Sequence, residues 1–281
     1  AAEGRYDVVA VQATGQTEVL NDAVTVIDDA RGANLFSIIE GPRQVTIGRV
    51  NSFNLQYTNQ GDGDSMAPLL IISSRSHVPI GYTGSDLRDQ PIYYLGASID
   101  GPMDILRPDT GYTQQLLYRS PMSEGQFDIR VATLQSTDSR LIDSAKWTEI
   151  EQSIKPLAPE GMSSNEWNAA WEVFWGRIRV TMGNTWGDYV RMLNQAMLLV
   201  SEQGSPVRDV RTLMATVYQQ HPDWRPASNL SGTLRDAETG AALANVQLAA
   251  YRTTSQGLAL GGYATTDING RFTLSGLLPG N

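Results

Sequence analysis

Two carboxylates separated by one glycine, Asp62-Gly63-Asp64, come nearest in type and spacing to a metal site. Ca²⁺ takes several oxygen ligands from a flexible loop, and Asp62 and Asp64 would supply the first of them. A complete loop also needs further ligands and a bidentate glutamate, and the EF-hand spacing is missing. An acidic hairpin turn is the competing reading. Asp267-Ile268-Asn269-Gly270 invites the same comparison, yet Asn-Gly is ordinary tight-turn chemistry. Glu149 with Glu151, and Glu160 with Glu166, have nothing converging on them that would make a glycosidase pair, so they read as a solvated helix surface. The two histidines, His77 and His221, sit in no H-E-x-x-H or H-x-x-E pattern and read as a loop and a linker residue. Cysteine is absent, which removes thiol catalysis, disulfides and iron–sulfur clusters together. No nucleophile elbow, P-loop or dinucleotide fingerprint is present. The expectation is a non-enzyme without a cofactor, calcium at Asp62 and Asp64 being the one metal to test.

The elements that carry these residues follow from composition. The 281 residues suit two or three domains rather than one continuous core. The net charge of −9 argues against nucleic acid or an anionic membrane surface as partner. No apolar run approaches the roughly 20 residues of a membrane span, so membrane insertion is not expected. All six Trp lie between Trp147 and Trp224, which divides the chain. Residues 1–140 hold 10 arginines against 17 acids, and the acidity of the protein resides there.

The first zone reads as strands. Residues 45–57 alternate over their second half and place Phe53, Leu55 and Tyr57 on one buried face. Residues 59–64 form a turn cluster, and Pro68 to Ile72 the next buried strand. Further strands fit residues 92–95, 115–118 and 127–131, with a turn over 107–111. Short strands without a helical period between them predict a β-sandwich. Tyr93 and Tyr94 are adjacent and so face opposite sides of their strand.

The middle zone switches period. Trp167, Trp171, Phe174, Trp175 and Ile178 form one helical stripe that reads as core rather than as a sugar-stacking platform. Ser163 and Glu166 predict a capping box. A second helix fits 186–200, and a third is predicted to open at Ser205 and Pro206, burying Val210, Leu213, Met214 and Val217. Three or four helices in all are expected. The last zone returns to strands over 230–236 and 246–251, then a hairpin about Asn269-Gly270.

Gly232 to Asp236, Thr239-Gly240, Asn245-Val246, the run from Thr266 to Phe272, and Gly276-Leu277-Leu278-Pro279-Gly280 together resemble the carboxypeptidase regulatory-like domain. That family is a small prealbumin-like β-sandwich. Tyr57 to Gly61 and Leu106 to Asp109 are similar to turns of the Ig-like, CARDB-like domains of large bacterial surface proteins. The resemblance implies extracellular scaffolding or adhesion rather than catalysis. The regulatory-like pattern normally continues after Leu-Pro-x-Gly with a Tyr-led alternating strand, and the run from Arg5 to Ala13 has that form. A strand supplied from elsewhere would complete such a sandwich.

The expected fold is therefore mainly β with a helical segment: a strand segment (1–20), an Ig-like β-sandwich (21–140), a small helical domain with linker (141–226) and an incomplete prealbumin-like sandwich (227–281). The expected function is a structural subunit of an extracellular or cell-surface fibre or layer in bacteria. Copies would join head to tail, Tyr6, Val8, Val9 and Val11 acting as donor strand and Phe272, Leu274 and Leu277 as acceptor edge. The competing arrangements are completion within one chain, a unit of a longer repetitive polypeptide, and residues 1–14 belonging to the first zone. The alternative function is an adhesin or carbohydrate-binding module with a glycan ligand.

Overall fold

A computed structural model describes residues 4–11, 17–26, 32–99, 103–201, 207–226, 230–236, 239–254 and 257–274. The described chain is mainly β, with four helices between its eleventh and twelfth strands. It runs β1 (Gly4–Val11), β2 (Thr17–Val26), β3 (Leu35–Glu40), β4 (Val50–Asn59), β5 (Ser65–Met66), β6 (Leu69–Ser73), β7 (Ile80–Gly81), β8 (Ile92–Leu95), β9 (Ile105–Leu106), β10 (Thr110–Arg119) and β11 (Arg130–Leu134). The helices are α1 (Ser144–Ile154), α2 (Ser164–Thr181), α3 (Trp186–Ser201) and α4 (Val210–Gln220). They are followed by β12 (Leu230–Thr233), β13 (Gln247–Thr254), β14 (Gly257–Thr265) and β15 (Arg271–Leu274).

Two antiparallel sheets face each other. One has the order β3-β4-β10-β7 and the other β11-β6-β8. β4 and β10 pair along their whole length, Val50 opposite Arg119 through Asn59 opposite Thr110. Period-two alternation sends Phe53, Leu55, Tyr57, Leu116 and Tyr118 inward, where they meet Leu70, Ile72, Ile92 and Tyr94 of the facing sheet. The predicted face of β4 is the observed one. Residues 45–49 are not strand: Gly48 turns with φ 66° and donates its N–H to the Pro121 carbonyl.

β6 and β8 are buried on both faces. Leu69, Ile71, Tyr93 and Leu95 point away from the facing sheet into a second core, which they share with all four helices. Residues 141–226 therefore close no core of their own, and the expected division at residue 140 runs through continuous apolar packing. Tyr93 and Tyr94 take opposite sides, one in each core. The aromatic stripe of α2 forms the centre of the second core: Trp171 stacks on Trp175 at 6.1 Å and tilts against Phe174 at 5.6 Å. Each large side chain buried there contributes about 1.5–3 kcal/mol.

Helix ends are fixed locally. Ser163 and Glu166 form the expected capping box. Thr185 and Asp188 make a second reciprocal pair at the start of α3: the Asp188 N–H donates to Thr185 Oγ1 (3.1 Å) and the Thr185 N–H to Asp188 Oδ2 (3.0 Å). α4 is capped by Asp209, which accepts the Thr212 N–H at 2.8 Å. The predicted opening at Ser205 and Pro206 lies outside the described residues.

At the C-terminal end β12 pairs with β15 and β13 with β14, both antiparallel. The predicted hairpin over 262–274 is thus a corner: β14 and β15 flank the Asn-Gly turn but hydrogen-bond to different partners. Thr266 is the physical reason. It is buried, its hydroxyl donates to the Leu243 carbonyl (2.6 Å) and accepts the Val246 N–H (2.9 Å), and so it ties the end of β14 back to the start of β13. The turn itself is real, with the Asp267 carboxylate accepting the N–H groups of Asn269 and Arg271 and Gly270 at φ 72°. β1 and β2 pair with each other, so the expected division at residue 20 falls within β2.

Two outcomes follow. Trp171→Ala should cost about 3–5 kcal/mol, and the loss should appear at one midpoint in both helix-dominated and strand-dominated circular dichroism bands. Separate midpoints would show that the cores melt independently. Burial works against ionised Asp188, but hydrogen bonds from the Thr185 hydroxyl and backbone and from Arg191 outweigh it and hold its carboxyl below the ordinary range. Its contribution is therefore complete above the unfolded pKa of about 3.9 and disappears as pH falls through the lower folded value. Asp188→Asn should lower Tm at neutral pH and flatten the acid limb of the Tm–pH curve below about pH 4.

Candidate functional site

The residues expected to join copies lie on two strands of similar status. β1 carries Tyr6, Val8, Val9 and Val11 and pairs along one edge with β2, its register shifting between Tyr6 and Val8. The two form a two-stranded sheet, so the other edge of β1 has no strand partner among the described residues. β15 carries Phe272 and Leu274 and pairs along one edge with β12, Leu274 opposite Leu230 and Phe272 opposite Gly232. Its other edge is likewise without a hydrogen-bonded strand among the described residues. Leu274 is buried and Phe272 half-buried against Gly232, where a Cβ would come within 2.7 Å of the Phe272 ring. Leu277 lies outside the described residues.

The loop bearing Asp62 and Asp64 is built around Asn59, which is 0% exposed. Its Oδ1 accepts the N–H groups of Asn34 and Gly61, each at 3.0 Å, and its amide donates to the carbonyls of Gly63 (2.8 Å) and Leu106 (3.1 Å). Gly61 is required there, since a Cβ would lie 2.0 Å from the Gly32 carbonyl oxygen. Both carboxylates are exposed, and no group of three or more metal-binding side chains occurs among the described residues. The turn is organised by a neutral amide.

A third locus was not legible from spacing. Tyr82, Tyr94, Gln114, Val207, Arg208, Asp209 and Thr212 line a cavity of about 270 Å³ between β8, β10 and the start of α4. The segment before α4 covers the edge of β8: the Leu95 N–H donates to the Arg208 carbonyl (2.9 Å), and Asp209 bridges Tyr94. Arg208 then reaches the Ser98 carbonyl at 3.4 Å, and Arg88 lies 3.8 Å from Asp209 Oδ2. Tyr94 donates its hydroxyl to Gln114 Oε1 (3.3 Å). Arg208 Nε and Arg88 Nε are buried without a hydrogen bond among the described residues, while the Tyr82 hydroxyl and the Asp209 carboxylate interact with one another. Burial and the neighbouring Asp209 raise the Tyr82 phenol well above its ordinary value. Burial and the neighbouring Arg88 lower Arg211. The only sequence signal for this cluster is three arginines, Arg88, Arg208 and Arg211, in an acidic chain, and it cannot be read before the fold brings residues 82–114 to residues 207–212.

Elsewhere the aromatic stripe is core, His77 is a loop residue with φ 53°, and His221 caps the C-terminus of α4 rather than lying in a linker. Glu149 pairs with Lys146 at 2.6 Å, while Glu151 accepts the Trp171 indole N–H at 3.1 Å, so the two do not face one another as a catalytic pair. Comparison with family models, curated proteins and solved structures finds no match to the chain.

Asn59→Ala should lower stability by about 1–3 kcal/mol, since it leaves buried N–H and carbonyl groups unpaired. Asp62→Asn with Asp64→Asn should change it by less than about 0.5 kcal/mol, with the same Tm in calcium and in chelator. A calcium-dependent Tm that the double variant abolishes would restore the metal reading.

Proposed function

We propose that this protein is a structural subunit of an extracellular fibre or surface layer in bacteria, its copies joined head to tail by strand addition. The single observation behind this reading is that β1 and β15, near the two ends of the described chain, are each hydrogen-bonded to one strand only among the described residues. An unpaired edge presents a row of N–H and C=O groups that another chain can complete. β1 would enter with β2 still attached and add a hairpin to the β12–β15 sheet beside the half-buried Phe272. Each large side chain buried this way contributes about 1.5–3 kcal/mol. A contact of this heterologous kind repeats into an open filament when its rotation does not close a ring.

The described domain pattern supports the same reading. The two facing sheets suit an Ig-like, CARDB-like sandwich, and the β12–β15 and β13–β14 pairs suit a prealbumin-like sandwich of the regulatory-like kind. Both are scaffold architectures in the families they resemble.

Light scattering and negative-stain imaging of the chain with and without residues 1–14 test the proposal. Filaments from the full chain, monomers from the shortened one, and capping of growth by a peptide of residues 4–13 are the expected results. Monomers in both cases, with truncation only lowering Tm, would place β1 on its own chain and reject the fibre.

A further inference from the structure

We infer that β3 is a second assembly edge, at which two copies of this chain pair antiparallel about a two-fold axis. This inference stands apart from strand addition at β1 and β15 and uses none of its residues. β3 ends the order β3-β4-β10-β7 and is hydrogen-bonded to β4 only among the described residues. The Ser37 hydroxyl meets the Thr133 hydroxyl at 2.6 Å, a side-chain contact that holds β3 against β11 without engaging the main chain.

Proteins that must stay apart protect such an edge with lysine, proline or a bulge. β3 has no lysine and no proline, and its register on β4 runs unbroken from Leu35 opposite Asn59 to Glu40 opposite Asn54. Its single charge, Glu40, is its last residue and is held by the Gln56 amide at 2.6 Å. The side chains it turns outward are apolar. Phe36 and Ile38 are 48% and 39% exposed, and they stand opposite only Thr58 and Gln56 of β4.

The order of residues says which partner fits. Leu35-Phe36-Ser37-Ile38-Ile39 has the same apolar and polar pattern from either end. An antiparallel copy centred on Ser37 sets Phe36 opposite the partner's Ile38 and Leu35 opposite the partner's Ile39. Glu40 then meets the partner's Asn34, so no like charges are opposed. Aromatic and β-branched pairs of this kind are what stabilise neighbouring strands. Sliding by two residues would set Phe36 against the partner's Glu40, or Ile38 against the partner's Asn34. A slip of one would mix the outer face with the core face. Only the register centred on Ser37 gives every apolar residue an apolar neighbour, and it joins two four-stranded sheets into one. One strand pair is smaller than a standard interface, so the contact depends on concentration.

The chain has no cysteine, so one introduced thiol reports the contact. Ser37→Cys and Thr113→Cys, each in the full chain, are treated with a short bismaleimide and read on a denaturing gel. That readout works whether or not filaments are present. Thr113 is exposed on β10, two strands in from the edge. Ser37→Cys should join copies roughly ten times faster or more, because paired strands hold the thiols at high effective concentration. Ile38→Lys, at an exposed position, should leave Tm nearly unchanged and erase the difference. A peptide of residues 4–13 should leave the Ser37→Cys rate as it is. Equal rates for the two thiols, or a rate indifferent to Ile38→Lys, would overturn the two-fold pair. Inhibition by the peptide would overturn it too, by assigning the β3 edge to the β1 strand.

Discussion

β6 and β8 are apolar at every position that matters, and the rest of the molecule is arranged to keep water from both of their faces. Leu70, Ile72, Ile92 and Tyr94 need the β4–β10 sheet, and Leu69, Ile71, Tyr93 and Leu95 need the helices. Strands buried on both sides belong in the middle layer of three. The order facing sheet, central sheet, helices is the simplest arrangement that leaves none of these eight side chains wet. Without cysteine to staple it, the chain relies on this double coverage.

Coverage extends to the strand edge. The β8 edge away from β6 would be bare if residues 207–209 did not run beside it before α4 begins. Asp209 therefore does two jobs within one residue: it bridges Tyr94 and caps the helix that follows. The mixed polar cavity is a by-product of this junction, where a helix start, a sheet edge and three arginines meet. The cavity and the architecture share the same few residues.

Much of the fold was legible because it rests on short-range pattern. The buried face of β4, the bounds of β8 and the stripe and capping box of α2 all follow from period and spacing. What could not be read was whether neighbouring segments pair with each other. Asn269-Gly270 looks like a hairpin turn, and the turn forms, but Thr266 diverts the strand before it to another partner. The helices form the expected stripe, yet a stripe does not say what it packs against. The four consecutive apolar residues of β6 held that information, since a strand with only one buried face would have alternated. The polar cavity was invisible for a stricter reason: its residues have no local pattern at all.

The clamp on β8 also has a consequence in time. Arg208 reaches Ser98 across 110 residues of chain, so during synthesis the central strands emerge long before the segment that seals them. Until then one edge and one apolar face remain open, and contacts between such distant segments form slowly. A nascent chain in that interval exposes the very surfaces that neighbouring nascent chains could capture. Successful production of this protein will therefore depend on how quickly the last helix follows the sheet, and slow translation between residues 134 and 210 should be its most vulnerable stage.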